Sequence, residues 1–599
     1  MKKQNIIILS LFTASIIYLV LRSIFVPLVH DEAATFFHYI IKGEFSPWTS
    51  LQDANNHVFN SFLEIGSYRL FGMEPWALRL PNVLSFFLFL WALYKVSLYI
   101  KNKILSIGFI VILIATQGFF EFFALGRGYG ISMAFFLTSI WMVIEFAKSK
   151  KNLHFFLFVV TISAAVFANL TLLVSALALF GYAGLVFVSS SEKKSLRVNW
   201  PIYGSALLFL LKMSVFAKLA FHFQDTGKLY YGSNNGFYQT SLQTLYQFLF
   251  PHWYSAIFMV SAIVFAVALI GYFIYLFKEK INTIFLSPQT LFFVLLIGNI
   301  AGPVFLSKFL GVHFGEDRTV MYLYPIITGF IFFSFNSFQN TRLKPIIYSA
   351  LLLLIIPIHF IANLNISYSS LWKNENIKED VFNIVWNDVK KSNRIPTVSG
   401  NHIFKLVWLY YNIKHGEPIL QINHDSYPNT SEDYVLAIKE DAPMFAKDYT
   451  LLDVNNNSGI HLFRRNKFLE TTPLLTLTDQ SPKEFSSEEY FPFIEDTTIL
   501  STHASIKVRT KFDLQSNKSS SGNILVINTL DTTGNTLKYI YLDLDWMGRN
   551  QTKKQTYDFR FSLVANEPSA HTLKVYIWNP RKNEIKATNS ILEIEGIKE

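Results

Sequence analysis

The chain has 599 residues, of which 51% are hydrophobic and 16% charged, with a net charge of +10 and no cysteine. The missing cysteines exclude disulfides and thiolate metal sites. The positive excess sits largely in short loops between apolar runs, so it speaks of membrane topology rather than of nucleic acid. Apolar residues dominate as far as about Phe360 and then thin out, which predicts a membrane domain followed by soluble ones.

Lys2 and Lys3 precede an apolar run of about 20 residues with no small-x-small cleavage site, so a retained first helix is expected rather than a signal peptide. A helix rises about 1.5 Å per residue, and about 20 apolar residues cross a bilayer core. Eleven ranges meet that pattern: 5–25, 79–99, 104–124, 129–147, 153–170, 172–190, 201–220, 256–277, 288–309, 320–337 and 345–364. Asn169 and Thr171 make only a thin break between the fifth and sixth. The loops that share a side with Lys2 carry KNK (101–103), KSKK (148–151), EKKSLR (192–197), KEK (278–280) and RLK (342–344). Basic loops stay inside. The N-terminus is therefore expected in the cytoplasm, and everything after residue 364 outside.

Three domains are expected: 1–365 in the membrane, 366–467 as extracytoplasmic α/β, and 468–599 as a jelly-roll-like β-sandwich. VFNIVWNDVKK (381–391) has helical spacing, while DYVLAI (433–438), YTLLDV (449–454) and GIHLFRR (459–465) read as strands. Beyond 468 the pattern alternates, in 504–514, 523–530, 538–546, 557–564 and 572–579, with turn residues such as DTTGN and NEPSAH between runs.

The stretch VPLVHDEAATFFHYI (26–40) places His30, Asp31 and Glu32 at the outer mouth of the first span. An acid there caps a following helix in the plainest reading. The spacing offers more. If 31–41 is helical, Asp31, Thr35 and His38 share one face, and Phe36, Phe37, Ile40 and Ile41 share the other. That describes a helix lying in the interface, its apolar side in lipid and its carboxylate toward a cavity. The same loop holds DANNHVFNSFLEIGSYRLFG (53–72). Asn55 or Asn56 is placed to cap a helix that ends at Gly72, with His57 and Asn60 near its N-terminus, where an anion would be received. Arg127 lies between glycines in ALGRGYG, and Arg318 in HFGEDRTVMYLYP. Arginine grips phosphate oxygens in a bidentate manner; the alternative is interface snorkelling, or for Arg318 a pair with Glu316 or Asp317. Tyr129 and Tyr322 stand beside these arginines as further substrate-contact candidates. The loop 221–255, rich in Tyr, Asn, Gln and Gly, suits sugar rings or an interfacial aromatic belt.

The acidic pair after the first span, the NNHxxN element, the FGMEPWALRLPNVL entry to the second span and the GEDRTVMYLYP turn together resemble the GT-C superfamily of membrane glycosyltransferases. The similarity is to its dolichyl-phosphate-mannose protein mannosyltransferase-like and lipid A aminoarabinose transferase-like members, over about residues 1–365. The resemblance implies inverting transfer from a polyprenyl-phosphate sugar to a protein, lipid or glycan hydroxyl on the outer face of the cytoplasmic membrane. It implies Asp31 as the catalytic acid residue, Glu32 as its acidic neighbour, and Arg127 and Arg318 near the lipid phosphate. The His-Pro-Pro of many relatives reads His57-Val58-Phe59 here, and the tail after 365 does not resemble the MIR domain. A phosphate-linked sugar leaves as a stabilised anion, so one base suffices where a glycosidase needs two carboxylates. Oxygen ligands also suit Mg²⁺ or Mn²⁺, which makes Asp31, Glu32 and His57 a candidate metal set. Two other classes remain open: a non-catalytic glycan-binding or assembly protein of the envelope, and a lipid-linked sugar transporter. The transporter reading expects ionisable groups at mid-span, whereas Lys95, Glu145, Lys212 and Lys218 sit toward span ends.

Overall fold

The computed structural model describes residues 3–189, 196–229, 231–339, 342–392, 396–416, 422, 428–478, 484–503, 505–563 and 569–598. Residues 192–195 of the EKKSLR loop, Tyr230, the strand ends at 504 and 564, and turn residues 566–568 lie outside them. The chain divides into two compact units: Met1–Val26 with Phe45–Leu371, and Pro27–Glu44 with Trp372–Glu599.

The first unit is helical. Among the described residues, eight helices are long and apolar enough to cross a membrane: Gln4–Phe25, Pro75–Ser97, Gly128–Ser149, Leu170–Val188, Trp200–Asp225, Tyr254–Lys278, Pro288–Leu310 and Lys344–Ala362. Three shorter apolar helices, Lys103–Ile114, Asn152–Ala168 and Leu323–Phe338, lie in the remaining expected ranges. The first of these stops at Ala115, whose φ of −109° and ψ of 46° leave the helical region, and a short helix Gln117–Glu121 follows. Asn169 ends the second, its side chain accepting from the Thr171 amide. The third tightens to 3₁₀ at Phe335–Phe338. These breaks shorten the regular helix without shortening the apolar run.

Charge buried in this unit is tied to helix ends. Arg22 pairs with Glu121 at 3.0 Å and donates to the carbonyls of Asn365 and Tyr368. Ser369 and Ser370 both donate to the Glu121 carboxylate. Arg79 donates to the carbonyls of Ser23 and Val26, at the negative end of the first helix dipole.

Among the described residues, the second unit contains twelve strands: β1 Val398–Gly400, β2 Tyr434–Ala437, β3 Tyr449–Val454, β4 His461–Arg465, β5 Thr471–Thr478, β6 Tyr490–Asp496, β7 Ile506–Ser516, β8 Ile524–Leu530, β9 Thr536–Asp543, β10 Gln555–Leu563, β11 Thr572–Trp578 and β12 Ile585–Ile597. The first four form a mixed sheet in the order β1-β2-β4-β3, accompanied by helices Glu379–Ser392 and Lys405–His415. The remaining eight form two antiparallel sheets, β10-β7-β12-β5 and β6-β11-β8-β9. That strand order is the double Greek key of a jelly roll. Phe493 of β6 packs on Phe512 of β7, 5.5 Å between centroids, so the sheets share a core. The sandwich expectation holds, but β5, β6 and β12 extend it, as β1 extends the mixed sheet. Two of these are edge strands carrying a proline at a register shift, Pro473 in β5 and Pro492 in β6. Proline within a run hides a strand from pattern reading, and edges and bulges are where sheets accept it.

Candidate active site

Two assemblies carry the residues singled out in the sequence, one in each unit.

In the first unit, the NNHxxN element and the GRGYG turn knit together. Arg127 is 1% exposed, precedes helix Gly128–Ser149, and donates through Nη2 to Asn55 Oδ1. The His57 ring shares a hydrogen bond of 3.0 Å between Nδ1 and the Ala168 carbonyl, and lies edge-on to Tyr129 at 4.5 Å. Asn60 donates to the Gly126 carbonyl and accepts from Asn82, which also accepts from the Ile131 amide. The glycines are needed for closeness. A Cβ on Gly128 would fall 2.6 Å from both the Ala168 carbonyl oxygen and His57 Cβ, and one on Gly130 would fall 2.6 Å from the Phe122 carbonyl oxygen.

These contacts revise one expectation. Neither Asn55 nor Asn56 caps the helix Val58–Phe71, which does end before Gly72; His57 holds the N-cap position without a capping side-chain bond. Asn55 is turned to Arg127 instead, and Asn56 donates to the Phe45 carbonyl while accepting from Ser61. A guanidinium offers a stronger, charge-assisted partner than a helix amide.

Arg318 sits in the 3₁₀ turn Asp317–Val320, 9% exposed, donating to the Tyr231 hydroxyl at 3.0 Å with its guanidinium 4.9 Å from that ring's centre. The turn is braced by bonds from the Gly232 amide to Glu316, from the Asp317 amide to Thr244 and from Ser241 to the Gly315 carbonyl. Asp317 has a φ of +50°. Burial first, then the Glu316 charge, pushes its carboxyl up to about 6, against the pull of Arg318. Tyr322 follows this turn, buried at the start of helix Leu323–Ser334. Arg127 and Arg318 meet electrostatically at His57. Burial, then the Arg127 charge and more weakly the Arg318 charge, hold its imidazole well below the ordinary range, while the Ala168 carbonyl acts the other way. His57 is therefore neutral, and its Nε2 is buried without a hydrogen-bond partner among the described residues.

In the second unit, the acidic pair begins the helix His30–Thr35. Val29 is its N-cap, and Glu32 closes the turn by accepting the Val29 amide at 3.1 Å. The capping role thus falls to Glu32 and not to Asp31. Asp31 is 7% exposed, and its carbonyl accepts from Thr35. The expected lipid-facing side is corrected: Phe36, Phe37 and Ile40 are buried in protein, with Phe36 against Tyr410 and Phe37 against Trp546. The cause lies in the backbone. Residues Phe36–Ile40 form a π turn, closed by the Ile41 amide on the Phe36 carbonyl, which rotates the face away from the ideal 3.6-residue period. His38 packs on Trp546, and burial, then Lys42, then His30 lower it to about 4. The segment is fastened along its length. His30 Nδ1 lies 2.9 Å from the Ile403 carbonyl, Lys42 pairs with Asp543, and Glu44 receives both terminal nitrogens of Arg581.

Among the described residues, no group of three or more His, Asp or Glu side chains is arranged to hold a metal ion. Asn55, Asn82 and Tyr231 were not singled out as site residues. Asn55 stood in the NNH run but was read as a cap, Asn82 lay inside an apolar span, and Tyr231 was one of many loop aromatics.

The described residues make a multi-pass helical unit, a mixed α/β sheet and a jelly roll, with Arg127 and Arg318 both buried in the helical unit. No family model matches the chain, and no curated protein matches it in sequence. Among solved structures it is similar to ArnT from Cupriavidus metallidurans in the apo state (10% identity, TM-score 0.39, 76% of this chain and 97% of that one). It is also similar to the oligosaccharyltransferase AglB from Archaeoglobus fulgidus in complex with an inhibitory peptide and a dolichol-phosphate (10% identity, TM-score 0.40, 100% and 98%). A third is the arabinosyltransferase EmbB from Mycobacterium smegmatis (10% identity, TM-score 0.35, 98% and 64%). Similarity at that level transfers no activity.

Proposed function

We propose that this chain is a GT-C-type glycosyltransferase, moving a sugar from a polyprenyl-phosphate donor to an acceptor hydroxyl with inversion at the anomeric carbon. The observation that carries the reading is the bonding of Asn55 to Arg127 and of Asn60 to the preceding Gly126, beside a His57 imidazole that feels both the Arg127 and the Arg318 charge. Two buried guanidiniums whose charges both reach a neutral imidazole favour an anion, and a phosphodiester is the anion that an apolar helical unit would meet. A prenyl tail gains about 0.8 kcal/mol per buried CH₂, which holds such a donor in the bilayer.

The chemistry is then divided between residues. Asp31 accepts the proton of the acceptor hydroxyl as its oxygen attacks the anomeric carbon from the face opposite the phosphate. Glu32 holds the turn that carries Asp31. The lipid phosphate departs with the bonding electron pair, its charge stabilised by Arg127 and Arg318. General-base assistance is worth roughly 10²–10⁴ in rate. His57, kept neutral with Nδ1 donating to the Ala168 carbonyl, leaves Nε2 to accept a hydrogen bond from a sugar hydroxyl. Asn56, Asn60, Tyr129 and Tyr322 shape the walls. The reaction belongs on the outer face of the cytoplasmic membrane, the C-terminal domains lying outside. The jelly roll favours a second reading, in which the protein binds envelope glycans without transfer.

Purified protein incubated with a panel of polyprenyl-phosphate pentoses and hexoses and mixed protein, lipid and glycan acceptors tests this. Donor-dependent release of polyprenyl phosphate is expected. Glycan binding with no turnover on any donor would favour the second reading.

A further inference from the structure

Lys405 opens the helix Lys405–His415 and is 7% exposed. Among the described residues its ammonium has no hydrogen-bond or ion-pair partner; its neighbour is the Tyr541 ring, 5.0 Å away. Burial, with no charged group contributing, pushes it down to about 8. The contrast within the same unit is sharp. Lys42 pairs with Asp543, Lys507 lies 3.9 Å from Asp433, and Arg509 holds both Asp558 and Glu593. A buried ammonium without a counterion is costly, and folds normally pair or remove it.

Its position is informative. Ile403, two residues earlier, holds His30, the neighbour of Asp31. Tyr410, on the same helix, packs on Phe36. On the other side, Tyr541 stands in β9 two residues before Asp543, which holds Lys42. Lys405 therefore lies between the segment that bears Asp31 and the jelly-roll strand β9.

We propose that Lys405 and Tyr541 form a subsite for an acidic saccharide, the ammonium taking a carboxylate or phosphate group and the ring facing the sugar. Calling that saccharide the acceptor rests on the transferase reading; the subsite itself does not. A saccharide is favoured over a lipid headgroup because a partly exposed tyrosine ring beside the charge suits a sugar face.

Amine acetylation of the full chain in detergent, read peptide by peptide by mass spectrometry, tests the subsite. Methyl glucuronoside or glucose 1-phosphate is expected to slow acetylation of Lys405 severalfold, and methyl glucoside to leave it unchanged. Exposed Lys447 serves as the control in each case. The two acidic probes separate carboxylate from phosphate. In saturation-transfer NMR, Lys405→Met should abolish contact with the acidic probe and Lys405→Arg should retain part of it. Asp31→Asn should keep the protection, so loss of transfer and loss of the subsite are told apart. Equal protection by neutral and acidic sugars, or none by either, overturns the proposal. Protection by phosphatidylglycerol vesicles alone would overturn it in favour of a lipid surface.

Discussion

Gly128→Ala puts the proposed donor site under the smallest chemical change available. The added Cβ would lie 2.6 Å from the Ala168 carbonyl oxygen and 2.6 Å from His57 Cβ, about 0.8 Å inside ordinary contact on both sides. One obstacle is backbone and the other is the root of a side chain, so neither can swing aside. His57 and the start of helix Gly128–Ser149 must separate, and Arg127 moves with the latter. Overpacking of this kind costs about 1–3 kcal/mol of stability. A misplacement near 1 Å of a group that orients substrate costs about 10²-fold in rate. Turnover at saturating acceptor, measured beside thermal unfolding in the same detergent, should show that hundredfold loss with a folded protein. Gly66→Ala is the control, since a Cβ there meets nothing within 4 Å. A Gly128→Ala enzyme with wild-type turnover would refute the claim that His57 and Arg127 form one working cluster.

Arg127→Lys keeps the charge and loses the planar fork that reaches Asn55. One charge-assisted bond is worth about 1.5–3 kcal/mol, so the donor KM should rise by roughly 10- to 100-fold, as steady-state kinetics would show. Asp317 has its carboxyl pushed up to about 6. Above that pH it ionises beside Arg318, so donor KM should climb as pH rises through 6, and Asp317→Asn should flatten the climb. The folding term has the same sign: the contribution of Asp317 is complete below about 3.8 and is lost as pH rises through about 6. Lys42→Met leaves Asp543 buried without its cation, the Asp543 side chain being 12% exposed. Breaking such a pair costs about 3–5 kcal/mol, and chemical denaturation should show most of it recovered in Lys42→Met with Asp543→Leu.

Much of this architecture can be read from the residues because long apolar runs and strict alternation are strong periodic signals. The eleven expected ranges fall on apolar helices, and β7 through β11 follow the alternating runs. What escaped was context. Pro473 and Pro492 broke the pattern at edge positions that tolerate proline. A continuous 3.6-residue period gives the helix at 31–41 a lipid face, whereas the π turn at Phe36–Ile40 shifts the phase and the tail buries the phenylalanines. Within the candidate site, Arg127, His57 and Asn60 were legible as polar residues stranded among apolar ones. That Asn55 would turn to Arg127, or that Lys405 would be left unpaired, depended on elements 72 and more residues apart in the chain.

The central claim is that Asp31 is the base in a transfer from a lipid-phosphate sugar. Its most direct test compares wild type with Asp31→Asn on whichever polyprenyl-phosphate donor is turned over, with Tm recorded and the anomeric configuration of the product read by NMR. The account predicts an inverted linkage and a loss of roughly 10²–10⁴ in kcat at an unchanged Tm. A variant that still transfers at the wild-type rate, or a product that retains the donor configuration, would contradict it.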